Sequence, residues 1–321
     1  MAHRACREAI NRRVTGSPHE WPFDWFKRCH SATSRSHGLS WGSGLGGFER
    51  WAIRLRIVST VDAFDLSPVS IEEARLSAAA EGISGIHYQV GDFNHPVLDA
   101  AAYDIVFFHA SLHHVENLEG LFSALSRALR PGGAIYIDDY IGRSRHAWRA
   151  AHLREAQAFL DRVPPRAKRR TTLDFPVGRD DPSEAVRSGE LEGFLREYFD
   201  MIEWRPYGGQ IAGLALPWID PAWAASSDGQ RLVQEMLDCE EAQLTANAGA
   251  SDFVVAYGKL KPRQLTWRAA KKRRPPIETR VSLASARLFF RGYWLVVRLS
   301  RRLRSELATL GRVRRPRIIT R

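Results

Sequence analysis

Between residues 37 and 142 short apolar runs alternate with stretches whose apolar positions recur at helical spacing. Residues 37–41 read as a weak strand that enters a glycine-rich loop, and 48–55 as a helix. A second strand is expected over 58–64, a helix over 69–80 and a short β-prone run over 86–90. Residues 103–109 contain Asp-Ile-Val-Phe-Phe, the unbroken apolar pattern of a strand covered on both faces. Over 118–129, Leu118, Leu121, Phe122, Leu125 and Leu129 fall on one helix face. Pro131-Gly132-Gly133 stops that helix, and 134–137 begins the next strand. Strands alternating with helices predict an α/β fold, a parallel sheet with helices on both faces.

The flanks differ from this core. Residues 1–36 carry Trp21, Phe23, Trp25 and Phe26 and read as an N-terminal helical cap with an apolar face. After 142 a helix is expected over 146–160. A polar, proline-containing stretch follows, so 143–193 reads as an insertion on the acceptor side, not as sheet. Residues 198–204 and 252–257 read as two last strands, with a helix near 231–244 between them.

Charge divides the chain. Residues 261–321 hold 19 Lys and Arg against two acidic residues, a net charge of +17, whereas the other 260 residues carry −6. Beyond a linker at 271–276, Val296, Leu299, Leu303, Leu307 and Leu310 recur at helical spacing, with Arg298, Arg301, Arg302 and Arg304 on much of the other face. A basic amphipathic helix of this kind suits an anionic membrane surface or a partner protein's groove; the plainer alternative is a helix packed on its own domain. Cys6, Cys29 and Cys239 are odd in number and far apart, which fits neither a disulfide framework nor a zinc site, so no metal is expected. With no signal-peptide pattern and no apolar run of membrane-spanning length, the expected location is cytoplasmic, with the tail able to hold the chain at the inner face of the membrane.

The candidate chemistry begins at Gly42-Ser43-Gly44-Leu45-Gly46-Gly47. Glycines there let the backbone turn tightly and approach a ligand. Gly42, Gly44 and Gly47 also satisfy the dinucleotide spacing G-x-G-x-x-G, so a nicotinamide-dependent oxidoreductase is one reading, and a plain flexible turn is another. Asp65 follows the second strand, where a carboxylate accepts hydrogen bonds from ribose hydroxyls; a helix cap is the alternative.

The succession GSGLGG, VDAFDLSPVSIEEAR, YQVGDF, YDIVFFHASLHHVENL and LRPGGAIYIDDY resembles class I S-adenosylmethionine-dependent methyltransferases. The segment DPSEAVRS resembles a bacterial subgroup of glycan-tailoring methyltransferases. The resemblance covers residues 37–142 and reaches about 260 through the two late strands. It implies a Rossmann-like sheet of seven strands, mostly parallel with the last antiparallel, an insertion after the fifth strand and a basic helical C-terminal tail. The methyltransferase domain would span 37–260, and 261–321 would be linker and amphipathic helix. S-adenosylmethionine is the implied cofactor. Gly42, Gly44 and Gly46 would pass under its methionine part, Asp65 would bind the ribose and Leu66 would lie beside the adenine. Asp92 would bond the adenine amino group, Phe93 would lie against the ring, and His109 and Ala110 would line the floor. The family often has an acidic residue two places before the first glycine; here it is Ser40.

The acceptor side is sought at the C-terminal ends of the strands. A hydroxyl acceptor needs a base, and His113 and Asp139 are the catalytic candidates, against readings as a helix-capping histidine and a solvated strand end. His114, Asp138 and Tyr140 adjoin them; Glu184 and Arg187, then Arg143, Arg145 and Trp148, are candidates for binding a polar acceptor. These residues predict O-methylation of a small molecule or glycan, with a lipid or quinone acceptor as the chief alternative and a non-catalytic binding module as a third. The acidic body, and the lack of an Asn/Asp-Pro-Pro-aromatic motif, argue against a nucleic-acid acceptor.

Overall fold

The computed structural model describes residues 4–31, 35–173, 181–247 and 251–262. The chain divides into two units. The first comprises 1–178 and 183–265; the second comprises 179–182 and 266–321, of which Asp181 and Pro182 are among the described residues. The amphipathic helix expected in the tail lies outside the described residues.

Two helices open the first unit, α1 (Arg4–Thr15) and α2 (Pro22–His30). Seven strands then form one sheet: β1 (Arg35–Trp41), β2 (Val58–Asp65), β3 (Ile86–Val90), β4 (Tyr103–His109), β5 (Leu129–Tyr140), β6 (Phe199–Gly208) and β7 (Phe253–Leu260). Their order is β3-β2-β1-β4-β5-β7-β6. The pairs among β1 to β5 are parallel, and β7 runs antiparallel to both β5 and β6. This is the expected Rossmann-like sheet, mostly parallel with β7 antiparallel. The order reverses between β1 and β4, and a doubly wound sheet opens a crevice for ligands beyond the carboxyl ends of the strands at such a point.

Alternation along the central strands sends side chains into two cores. On one face Val106, Phe108, Ile135 and Ile137 pack with α5 (Leu118–Ala128) and α7 (Leu191–Tyr198). On the other, Ile105, Phe107, Ala134 and Tyr136 pack with α3 (Gly47–Arg54), α4 (Pro68–Ala80) and α2. The aromatic residues of the N-terminal cap are the reason it docks: Phe23 and Phe26 are buried, and both rings meet Tyr136. The helices between strands start at local signals. Ser67 Oγ accepts the Ser70 N–H at the start of α4, and Asn117 does the same for Gly120 at α5.

Two features depart from the sequence reading. Pro131-Gly132-Gly133 does not separate helix from strand; β5 begins at Leu129, paired with Tyr103, and the register shifts before Ile105 to absorb the extra residues. The insertion 143–193 supplies α6 (Ala150–Asp161), which joins α8 (Ala212–Ala215), α9 (Pro221–Ala224) and α10 (Ser227–Ala246) in a third apolar core. Ala156 and Leu160 of α6 meet Val233 and Met236 of α10 there, so the two long excursions from the sheet form one helical layer. No helix among the described residues is long and apolar enough to cross a membrane.

Candidate active site

The glycine loop leaves the carboxyl end of β1 and turns into α3. Gly42, Gly44 and Gly46 all have positive φ, of 78°, 51° and 72°. Their surroundings differ. A Cβ on Gly42 would stand 2.4 Å from the Ser111 Cβ, and one on Gly46 would meet the Tyr88 hydroxyl, whereas one on Gly44 would meet nothing within 4 Å. Gly42 and Gly46 are thus glycines for packing, and Gly44 leaves open space on the ligand side. Asp65 at the end of β2 braces the loop: its carboxylate accepts the Gly44 N–H and the Ser67 N–H, both at 2.8 Å. A carboxylate has about four acceptor sites, so two remain.

Ser40 is not isolated from negative charge. Its hydroxyl donates to the Glu49 carboxylate at 2.5 Å, reaching across from β1 to α3. Glu49 is 1% exposed, its second oxygen makes no hydrogen bond to the described residues, and burial pushes its carboxyl up to about 7. Ser40, Gly42, Ser43, Phe48, Glu49 and His109 are among the residues lining a cavity of about 390 Å³, within the usual range of ligand pockets, about 300–1,000 Å³. Glu49 is the residue that sequence reasoning missed. Its signal was the gap at Ser40; a charge nine residues later on a helix face reads as solvated until the helix is placed.

His109 lies at this cavity, its ring stacked on Phe48 at 5.0 Å. Asp138 on the neighbouring strand accepts a hydrogen bond from the Tyr207 hydroxyl at 2.8 Å, and burial raises its pKa. Gly91 N–H donates to the Asp65 carbonyl, which sets the turn with Asp92 and Phe93 next to Asp65. Within that turn Asp92 accepts the Asn94 N–H at 2.8 Å and pairs with His95 at 2.9 Å, while Leu66 is exposed.

At the carboxyl ends of β4 and β5 a second group assembles. His113 lies in a single 3₁₀ turn, Leu112–His114, and its Nδ1 meets Asp139 Oδ1 at 2.5 Å. Asp139 is 1% exposed and surrounded by donors. Oδ2 accepts the Ser111 and Leu112 N–H groups, at 2.8 and 2.7 Å, and Oδ1 also accepts the Tyr140 N–H at 2.7 Å. Burial alone would raise its pKa, but the bond and charge of His113 and the two amides of Ser111 and Leu112 outweigh that and hold the carboxyl below its ordinary value. Asp139 therefore cannot meet an acceptor itself; it orients His113, and the two catalytic candidates form one unit. Ser111 ties this unit to the glycine loop, its hydroxyl donating to the Trp41 carbonyl at 2.7 Å. Of the other acceptor-side candidates, Glu184 stands beside His113, whereas Arg187 is engaged by Glu119 and Glu190 and the Glu116 carbonyl. The three cysteines are free thiols.

A Rossmann-like sheet with a glycine loop and a carboxylate-bearing second strand at its switch point is the architecture of a nucleotide-cofactor domain. Residues 39–137 match the family model described as a methyltransferase domain. Malonyl-[acyl-carrier protein] O-methyltransferase of Enterobacter lignolyticus is 32% identical over 130 residues, 39% of this chain and 49% of the relative. Ubiquinone biosynthesis O-methyltransferase of Photorhabdus laumondii is 27% identical over 152 residues, 47% of this chain and 58% of the relative. The chain thus spans about half the length of the curated relatives it matches. Phosphoethanolamine N-methyltransferase 2 of Haemonchus contortus, solved in complex with S-adenosyl-L-methionine, superposes with a TM-score of 0.47 at 18% identity, over 81% of this chain and 57% of that one.

Proposed function

We propose that the chain binds S-adenosylmethionine in the glycine-loop cavity and methylates an oxygen of a small molecule or glycan. The observation that carries this reading is Glu49. A fully buried carboxylate with an oxygen unpartnered among the described residues, lining a cavity, is costly unless a cation completes it, and the cofactor brings an ammonium group. The fit extends along the loop: Gly44 leaves room for the methionine part, Asp65 keeps two acceptor sites for ribose hydroxyls, and Asp92, Phe93 and Leu66 flank the adenine side. His109 on Phe48 forms the floor.

Bound there, the cofactor supplies an electrophilic methyl group on a positively charged sulfur. The protein's tasks are then alignment, exclusion of water and handling of the acceptor's proton. The His113–Asp139 pair is the proton-handling unit of this reading, since Asp139 fixes Nδ1 as the donor and leaves Nε2 turned toward Glu184. The names of the two curated relatives support oxygen as the acceptor atom. A membrane-embedded acceptor, a lipid or quinone, is the second reading, favoured by the +17 charge of residues 261–321.

Calorimetric titration of the full chain with S-adenosylmethionine, its demethylated product and NAD tests the reading. The first two are expected to bind, and Glu49→Gln to weaken the first. Binding of NAD alone would overturn it.

A further inference from the structure

We propose that His113, His114 and Glu184, with His146 beside them, form a binding site for one divalent transition-metal ion on the acceptor side of the sheet. His113, His114 and Glu184 already offer ligand atoms within 4.8 Å of one another. His146 adds a third imidazole: its Nε2 lies 3.4 Å from Glu184 Oε1, where His113 Nε2 lies at 3.5 Å, and His114 Nε2 is 3.8 Å from Oε2.

These separations are those a shared ion would set. Ligands about 2.0–2.2 Å from a tetrahedral ion stand roughly 3.4 Å from each other. Charge-assisted hydrogen bonds are shorter, about 2.7–2.9 Å, as at His95–Asp92, 2.9 Å, although His109 and Asp138 also stand as far apart as 3.9 Å. His113, His114 and Glu184 thus stand at separations that one shared ion can span, with His146 on the same carboxylate.

The surroundings hold the ligands in place. The His113 Nδ1–Asp139 contact is the carboxylate–histidine arrangement that fixes the tautomer of a ligating imidazole and leaves Nε2 to the ion. The His146 ring is stacked on Trp148 at 4.6 Å and 4° and meets the edge of Tyr140. Arg145 N–H donates to the Ala185 carbonyl and Gly189 N–H to Ser144 Oγ, so the segment bearing Glu184 is stitched to the one bearing His146. Arg145, His146 and Ala185 all have positive φ, a strained backbone that the cross-links sustain.

Two imidazole nitrogens and one carboxylate oxygen, with a third imidazole next to them, suit zinc, cobalt or iron(II); magnesium and calcium prefer oxygen sets. The expectation of no metal rested on cysteine spacing, and these ligands come from three separate segments. The role of the ion rests on the methyl-transfer reading: an acceptor oxygen that joins it would hold its proton less tightly, and His113 then acts as ligand and not as base.

The test is titration of the metal-free full-length chain with Zn²⁺ by calorimetry and with Co²⁺ by absorption. One ion per chain is expected, with visible d–d bands and no thiolate charge-transfer band. His114→Ala and the conservative Glu184→Gln should each weaken Zn²⁺ binding roughly tenfold or more, and Asp139→Asn about 10–100-fold; His87→Ala, on an exposed ring at the sheet edge, should leave it unchanged. No stoichiometric binding, a thiolate band, or wild-type affinity in both His114→Ala and Glu184→Gln would overturn the site. Binding of S-adenosylmethionine by the same metal-free chain is measured separately, so failure of the metal site and failure of the methyltransferase reading are told apart.

Discussion

Ser40 Oγ and Glu49 Oε1 lie 2.5 Å apart, joining the strand before the glycine loop to the helix after it. The negative charge absent from residue 40 thus stands in the same cavity, carried by α3. The bond is weak compensation for burying a carboxylate, and burial pushes Glu49 from its ordinary 4.5 up to about 7.

The first prediction follows from the sign of that shift. A raised carboxyl favours the folded state fully below its unfolded value of 4.5, and the advantage is lost as pH rises through about 7. At pH 8 the ligand-free protein carries a penalty of about 3 kcal/mol from this group. Glu49→Gln should remove it: urea midpoints of wild type fall between pH 5 and pH 8, those of the variant stay flat, and the two converge at the acid end. Parallel curves would dismiss the buried charge. Affinity for S-adenosylmethionine in the wild type should rise with pH over the same interval, because the ammonium group needs the ionised form.

Asp139 is the second case. Its two oxygens accept three backbone N–H groups and the His113 ring. Asp139→Asn places an amide donor against some of these donors and leaves a buried histidine without its anion. Loss of a buried charge partner of this kind costs about 3–5 kcal/mol. Thermal unfolding should drop accordingly, and turnover should fall further than affinity for the cofactor, since the glycine-loop cavity is left intact. A variant that kept wild-type turnover would show that His113 needs no orienting carboxylate.

How much of this was legible beforehand depends on the range of the interactions. The core strands and the helix of Leu118, Leu121, Phe122 and Leu125 are written in local periodicity, and they lie where that periodicity runs. The ordered motifs similarly carry the glycine loop, Asp65 and the turn at Asp92. Other features depend on contacts between distant residues. Glu49 is an ordinary helix charge until α3 is laid against β1. His146 stands at the start of an expected helix and Glu184 is an acceptor-binding candidate, but nothing local joins them, and His146 meets the Glu184 carboxylate beside His113 because the chain after β5 folds back there. Arg187 looked free to bind an acceptor, and it is Glu119, 68 residues away, that engages it.

The glycines give a third prediction by contrast. Gly44→Ala meets nothing but its own positive φ, so it should cost about 1–2 kcal/mol and lower the melting temperature by only a few degrees. It should nonetheless abolish cofactor binding, because its Cβ enters the space left for the ligand. Gly46→Ala carries the same φ penalty and drives a methyl group into Tyr88, whose hydroxyl donates to the Gly46 carbonyl at 3.1 Å. Its loss of stability should exceed that of Gly44→Ala clearly. Equal melting temperatures for the two variants would mean the loop relaxes away from Tyr88.

The last prediction concerns residues 261–321, argued from charge alone. A segment of net +17 beside a body of −6 is attracted to an anionic surface that the body avoids. Each Lys or Arg near such a membrane contributes roughly 1 kcal/mol, so half of the excess would suffice to hold the protein there. Insertion of Phe289, Phe290, Trp294 and Leu295 would add an apolar term that salt does not screen. Sedimentation with vesicles containing anionic lipid should therefore carry down the full chain at low salt. A chain ending at Leu265, the last residue of the first unit, should stay in the supernatant. Binding of the full chain should weaken as ionic strength rises, since the screening length shortens to about 8 Å at physiological salt, but retain a residue from the aromatic side chains. Equal sedimentation of both chains, or of neither, would remove the membrane reading and leave a partner protein's groove or a helix packed on its own domain as the account of this segment.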